Sequence, residues 1–258
     1  MKITWLMYRK ELLEMVRSYK LLWIPVVFIL LGVMQPITSF YLPNILAASG
    51  DISAELLTQL PVPLPADVMV QSLSQYSTIG ILIIAIAGMN IVAGERYSGT
   101  AALVLVRSVP SLSFIIAKWM GQLTLLFVSF TLGYGGAWYY TAILMGPVRW
   151  GDALIAGALY FLWFAFAQSL LLLLSTIFRG SAAAVISLLI MGALSVTYSL
   201  IPSWFSWSPA RILNFANATF AGEVNYTAAT FVTSVLGCLV CLAASAWLLR
   251  RQGIPDQS

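Results

Sequence analysis

Six uninterrupted stretches without Asp, Glu, Lys or Arg dominate this chain: residues 21–50, 68–94, 119–148, 153–178, 180–210 and 224–249. Each exceeds the roughly 20 residues that a helix needs to cross about 30 Å of hydrocarbon. Because backbone polar groups in lipid must be satisfied within the spanning element, such stretches predict helices rather than loops or open sheet. Only 9% of the residues are charged, 60% are hydrophobic and the mean hydropathy is +0.92, whereas soluble domains carry about 25% charged residues. The expected fold is an all-α integral membrane protein of six transmembrane helices, spanning about 21–41, 74–93, 112–145, 153–178, 182–201 and 226–249.

The cations orient these spans. If the N-terminus is cytoplasmic, Lys2, Arg9, Lys10, Arg17, Lys20, Arg96, Arg107, Lys118, Arg179, Arg250 and Arg251 all fall on the inner side, leaving Arg149 and Arg211 outside. This positive-inside bias predicts cytoplasmic N- and C-termini in a plasma membrane. The net charge of +4 is therefore a matter of topology, and no nucleic-acid partner is expected.

Residues 1–20 place Trp5, Tyr8, Leu12, Met15 and Val16 at helical spacing, with Arg9, Lys10, Glu11, Glu14 and Arg17 mostly around the other side. That pattern predicts an amphipathic helix on the inner membrane surface in contact with lipid, or else a cytoplasmic extension of the first span. Pro36 is expected to kink the first span unless neighbours compensate. The following external loop holds Asp51, Glu55 and Asp67, and its Pro61, Pro63 and Pro65 deny it regular helix. Pro110 followed by Ser111 suits the first turn of the third span, in which Gly133, Gly135 and Gly136 permit close helix approach. Trp204, Trp207 and Phe215, between the fifth and sixth spans, point to short segments at the outer interface, and residues 250–258 form a cytoplasmic tail.

Several chemistries are disfavoured. The chain has no His, which removes the usual general base and His-containing zinc sites. Ser-Lys catalysis requires a buried lysine, and Lys118 is expected at a membrane edge. Cys238 and Cys241 fall on a small-residue stripe with Gly237 and Ser245, the pattern of a packing surface. No GxxxxGK[ST] phosphate loop occurs, so the chain is not expected to hydrolyse a nucleotide by that route; with the missing His and the packing role of the cysteines, no catalytic residue, cofactor or metal is expected in it. Apart from Lys118 at the edge of the third, the expected spans hold no Asp, Glu, Lys or Arg, which weakens an ion-coupled secondary transporter.

A membrane domain with no engine of its own directs attention to the inner segment between the second and third spans. It reads Ala93-Gly94-Glu95-Arg96, Gly99-Thr100, Arg107-Ser108-Val109-Pro110-Ser111 and then Lys118, and Arg9-Lys10-Glu11-Leu12 stands near the N-terminus. This pattern resembles the permease subunits of type 2 ABC exporters, with Val109 and the Ala101-Ala102 pair as mild departures. The resemblance implies a short cytoplasmic coupling helix that docks on a separate ATP-binding subunit. It also implies pairing with a second permease, as homodimer or heterodimer, and export driven by ATP and Mg held on the partner subunit.

The residues carrying this expectation are Glu95, Arg96, Gly99, Thr100, Leu103, Leu105, Arg107, Pro110 and Lys118, with Arg9, Lys10, Glu11 and Arg17 on the interface helix. Thr100 can cap a short helix whose apolar body, Ala101 to Val106, would press into a groove between charged edges. The competing reading is that these residues only anchor helix ends at the headgroups. A membrane-anchored regulator that sequesters a cytoplasmic partner through the same surface is the alternative function.

Overall fold

The computed structural model describes residues 2–49, 63–98, 110–222 and 226–251. Among them it is all-helical, with six helices long and apolar enough to cross a membrane. Helix α1 (Lys2–Arg17) is followed by a turn in which Tyr19, at φ 55°, redirects the chain sharply into α2 (Lys20–Ser49). α1 is thus a separate helix and not an extension of the first span.

α2 continues through Pro25, Pro36 and Pro43. Beside Pro36, the Gln35 amide donates to Gln71 (2.5 Å) and Ser39 (3.3 Å) and accepts from Gln75 (2.5 Å), joining α2 to the next helix by a polar contact.

The second span starts earlier than expected. Pro65 opens helix α3 (Pro65–Gln75), since its missing N–H is of no consequence in a first turn, and Asp67 sits in that turn, where the helix dipole favours a carboxylate. Asp67 and Pro65 therefore belong to the helix and not to an irregular external loop. A π turn (Tyr76–Gly80) leads to α4 (Ile81–Gly88), and a non-helical turn at residues 89–92 precedes the short α5 (Ala93–Tyr97). Tyr76 is fully buried between α2 and the third span, with its hydroxyl donating to the Phe28 carbonyl at 2.7 Å.

Pro110 caps α6 (Ser111–Leu144) and does not enter its first turn. The α2–α6 pair is the most extensive helix contact, and glycine makes it possible. A Cβ on Gly32 would lie 2.0 Å from the Gly133 carbonyl oxygen, and one on Gly133 would lie 2.3 Å from that of Phe28. Gly136 faces Val33, whereas Gly135 has open space.

Helix α7 (Trp150–Ile177) is the centre of the bundle, burying Trp163, Phe164, Leu171 and Leu172. Gly180, at φ 57°, turns the chain directly into α8 (Ser181–Leu200), which packs on α7 and α4. After residues 201–210 comes α9 (Arg211–Ala221), whose Ile212, Phe215 and Ala216 pack inward against α7. Phe215 is thus a core residue and not an interfacial one, while Trp204 and Trp207 are exposed. In α10 (Ala228–Arg251), Gly237 faces the Phe166 ring and Cys238, Cys241 and Ser245 are buried, the geometry of a packed seam.

Candidate functional site: a buried charge cluster at the inner ends of the spans

The buried face of α1 is Tyr8, Glu11 and Met15, one row of a helical surface. Gly121 on α6 lets this row approach. A Cβ there would stand 3.2 Å from both Glu11 Cβ and Met15 Cε. One turn further along α6, Tyr8 Oη and Thr124 Oγ1 lie 2.9 Å apart. Trp5 and Val16, expected on the lipid-facing side, are exposed, whereas Glu11, expected on the other, solvated side, is buried. The reason is electrostatic, because the groove that receives α1 contains a cation.

That cation is Lys118, 1% exposed, where a lysine at the membrane edge was expected. Its Nζ lies 2.9 Å from Glu11 Oε1 and 3.1 Å from Glu95 Oε1, with the Phe114 ring 5.1 Å away. Lys10 Nζ donates to Glu95 and lies 3.9 Å from Glu11. Two ammonium groups and two carboxylates, drawn from α1, α5 and α6, therefore neutralise one another; Lys118, Glu11 and Glu95 do so largely out of water, as buried charges require, while Lys10 closes the cluster on its exposed side. Lys118 donates to carboxylates and not to a serine, so its burial does not create the pair that Ser-Lys catalysis needs.

Burial pushes the Glu11 carboxyl above the usual range, and the charge and hydrogen bond of Lys118 only partly oppose it. For Lys10, burial works against the charged form, but the hydrogen bond and charge of Glu95, with Glu11 and Glu14 behind them, more than offset it and raise its pKa. Glu11, Glu14 and Glu95 bring carboxylate oxygens within 4.8 Å of one another, close enough for a cation. The ammonium groups of Lys10 and Lys118 already meet that negative charge. A polar cavity of about 450 Å³, lined by Glu14, Lys20, Asn90 and Gln122 among others, adjoins the cluster.

The inner end of the second span is clamped to its neighbours. Ser175 Oγ on α7 accepts from the Val92 and Ala93 amides, each at 3.2 Å, and donates to the Met89 carbonyl at 3.1 Å. It thereby satisfies backbone groups freed by the turn at 89–92. Arg96 donates to the Thr176 carbonyl, and Lys20 donates to that of Ala87 at 2.9 Å.

The structure thus joins two groups of residues that were separate in the sequence, Glu95 and Lys118 with Lys10 and Glu11. Arg9 and Arg17 are exposed and stand outside the cluster. Gly99, Thr100, Leu103, Leu105 and Arg107 lie outside the described residues, as does any helix they form. Gly121 and Ser175 were not singled out in the sequence, because a lone Gly or Ser inside an apolar helix reads there only as a small residue.

Comparison with known proteins places this architecture. The pattern described as "ABC-2 family transporter protein" matches residues 5–254. The "Uncharacterized transmembrane protein YxlG" of Bacillus subtilis (strain 168) is 34% identical over 255 residues, covering 97% of this chain and 98% of that one. The chain belongs to the ABC-2 family of transporter proteins, and is a multi-pass membrane component of an ABC transporter.

Proposed function

We propose that this chain is the permease subunit of an ABC exporter and that residues 99–109 dock on a separate ATP-binding subunit. The observation that carries this reading is the ion pair between Glu95 and Lys118. These residues flank residues 99–109, and their pairing ties the two ends of that stretch to each other and to α1. A segment held at both ends on a fixed base can transmit displacement of a docked partner to α1, α5 and α6 together, which a floppy loop cannot.

On this reading both termini are cytoplasmic in the plasma membrane, and ATP and Mg bind the partner subunit. Two permeases, identical or related, enclose the substrate path. The membrane-anchored regulator is the weaker reading, since a sequestering surface needs no such tether.

The test is co-purification of the ATP-binding subunit with Leu103→Asp, Leu105→Asp and Glu95→Ala, from membranes holding equal amounts of each variant. Burying a Leu in a partner's groove contributes about 1.5 to 3 kcal/mol, and about 1.4 kcal/mol is tenfold in affinity. Either Leu variant is expected to insert normally but to lose ATPase association and export, with Glu95→Ala intermediate. Undiminished association in both Leu variants would reduce the segment to a helix anchor.

A further inference from the structure

Midway along the second span, the π turn Tyr76–Gly80 borders a groove of about 300 Å³ whose other walls are α8 and α9. Its polar lining includes Ser77, Thr78, Ser195, Ser199, Asn214 and Asn217, and none of the residues lining it is charged. Thr78, Ser199 and Asn214 are exposed. The Asn217 Oδ1 is buried without a hydrogen-bond partner among the described residues.

Hydrocarbon offers no hydrogen bonds, so polar side chains facing a groove beside the spans need water, a ligand or another protein group; Thr78 donates to the Ser74 carbonyl at 3.2 Å, whereas the Asn217 Oδ1 on α9 has no such partner among the described residues. The segregation on α8 shows that this surface is distinct from the lipid face. Leu189, Val196 and Leu200 are exposed along one side of the helix, while Ser195 and Ser199, one turn apart, look into the groove. On α9, Asn214 and Asn217 are likewise one turn apart and line the same space. Three elements therefore converge polar, uncharged side chains on one point, next to a helical irregularity of a kind often found at functional sites.

We propose that this groove is a hydrated site for the uncharged, hydrogen-bonding part of the transported molecule, of the hydroxyl- or amide-bearing class. Hydroxyls and carboxamides offer both donors and acceptors to such a group. A cation or anion would meet no opposite charge and would have to be stripped of water to enter. Its role as a transport site rests on the permease reading above, whereas its hydration and its preference for neutral groups do not.

The experiment places single cysteines at Ser77, Ser195 and Asn214 in the full chain bearing Cys238→Ser and Cys241→Ser, with Leu189→Cys as the lipid-facing control. In membrane vesicles, an uncharged, sugar-bearing, membrane-impermeant thiol reagent is expected to label the groove cysteines at least tenfold faster than the control. Hexyl glucoside below its micelle concentration is expected to slow that labelling severalfold, and hexyltrimethylammonium at the same concentration to leave it unchanged. Groove cysteines as unreactive as the control would overturn the assignment, as would equal protection by the cationic amphiphile or none by the glucoside. Co-purification of the ATP-binding subunit with the same variants reports on the permease reading separately.

Discussion

Lys118 Nζ lies 2.9 Å from Glu11 Oε1, a contact between residues 107 positions apart that docks the N-terminal helix against the third span. Lys118 also holds Glu95 at 3.1 Å, so one ammonium ties α1, α5 and α6 together. Breaking a buried ion pair from one side costs about 3 to 5 kcal/mol, because the remaining charge is left uncompensated.

Lys118→Met is therefore expected to destabilise the detergent-solubilised protein by that order and to free α1. Limited proteolysis between α1 and α2, together with thermal denaturation, checks both effects. The double variant Lys118→Met, Glu11→Gln should lose clearly less than the sum of the single losses, since the two residues share one network. Strict additivity would show that the pair is not coupled.

The glycine contact between α2 and α6 makes a graded prediction. Gly32→Ala and Gly133→Ala each place a methyl within 2.3 Å of backbone oxygen, so the helices must separate. Such overpacking costs typically 1 to 3 kcal/mol or more. Gly135→Ala, two residues away with open space around it, should leave the melting temperature unchanged or slightly raised. Equal effects at positions 133 and 135 would contradict the close approach.

Ser175→Ala deletes the oxygen that satisfies the Val92 and Ala93 amides and the hydrogen offered to Met89. Leaving buried donors unpaired costs about 1 to 3 kcal/mol. Faster hydrogen exchange is expected at residues 92 and 93, with helices α8 and α10 unaffected. Unchanged exchange at those two amides would mean that Ser175 does not hold the turn.

The family was legible in the resemblance carried by residues 93–118, and the span count because lipid imposes a one-dimensional rule. About twenty apolar residues are needed for each crossing, and cations collect on the inner side. Residues Glu95 and Lys118 could be singled out for the same reason, as charges beside long apolar runs.

The start of the second span was misplaced because Pro61, Pro63 and Pro65 look alike in a sequence, yet Pro65 opens a helix. Periodicity assigned Glu11 to the solvated side of α1, yet the helix turned that side inward to meet Lys118. No local pattern contains that partner, 107 residues away. What the sequence by itself determined was which segments leave water, since solvation depends on composition along the chain. Which charges then neutralise one another, which glycines touch and where a polar groove remains open were decided by tertiary structure, because those energies arise only when distant helices are packed side by side.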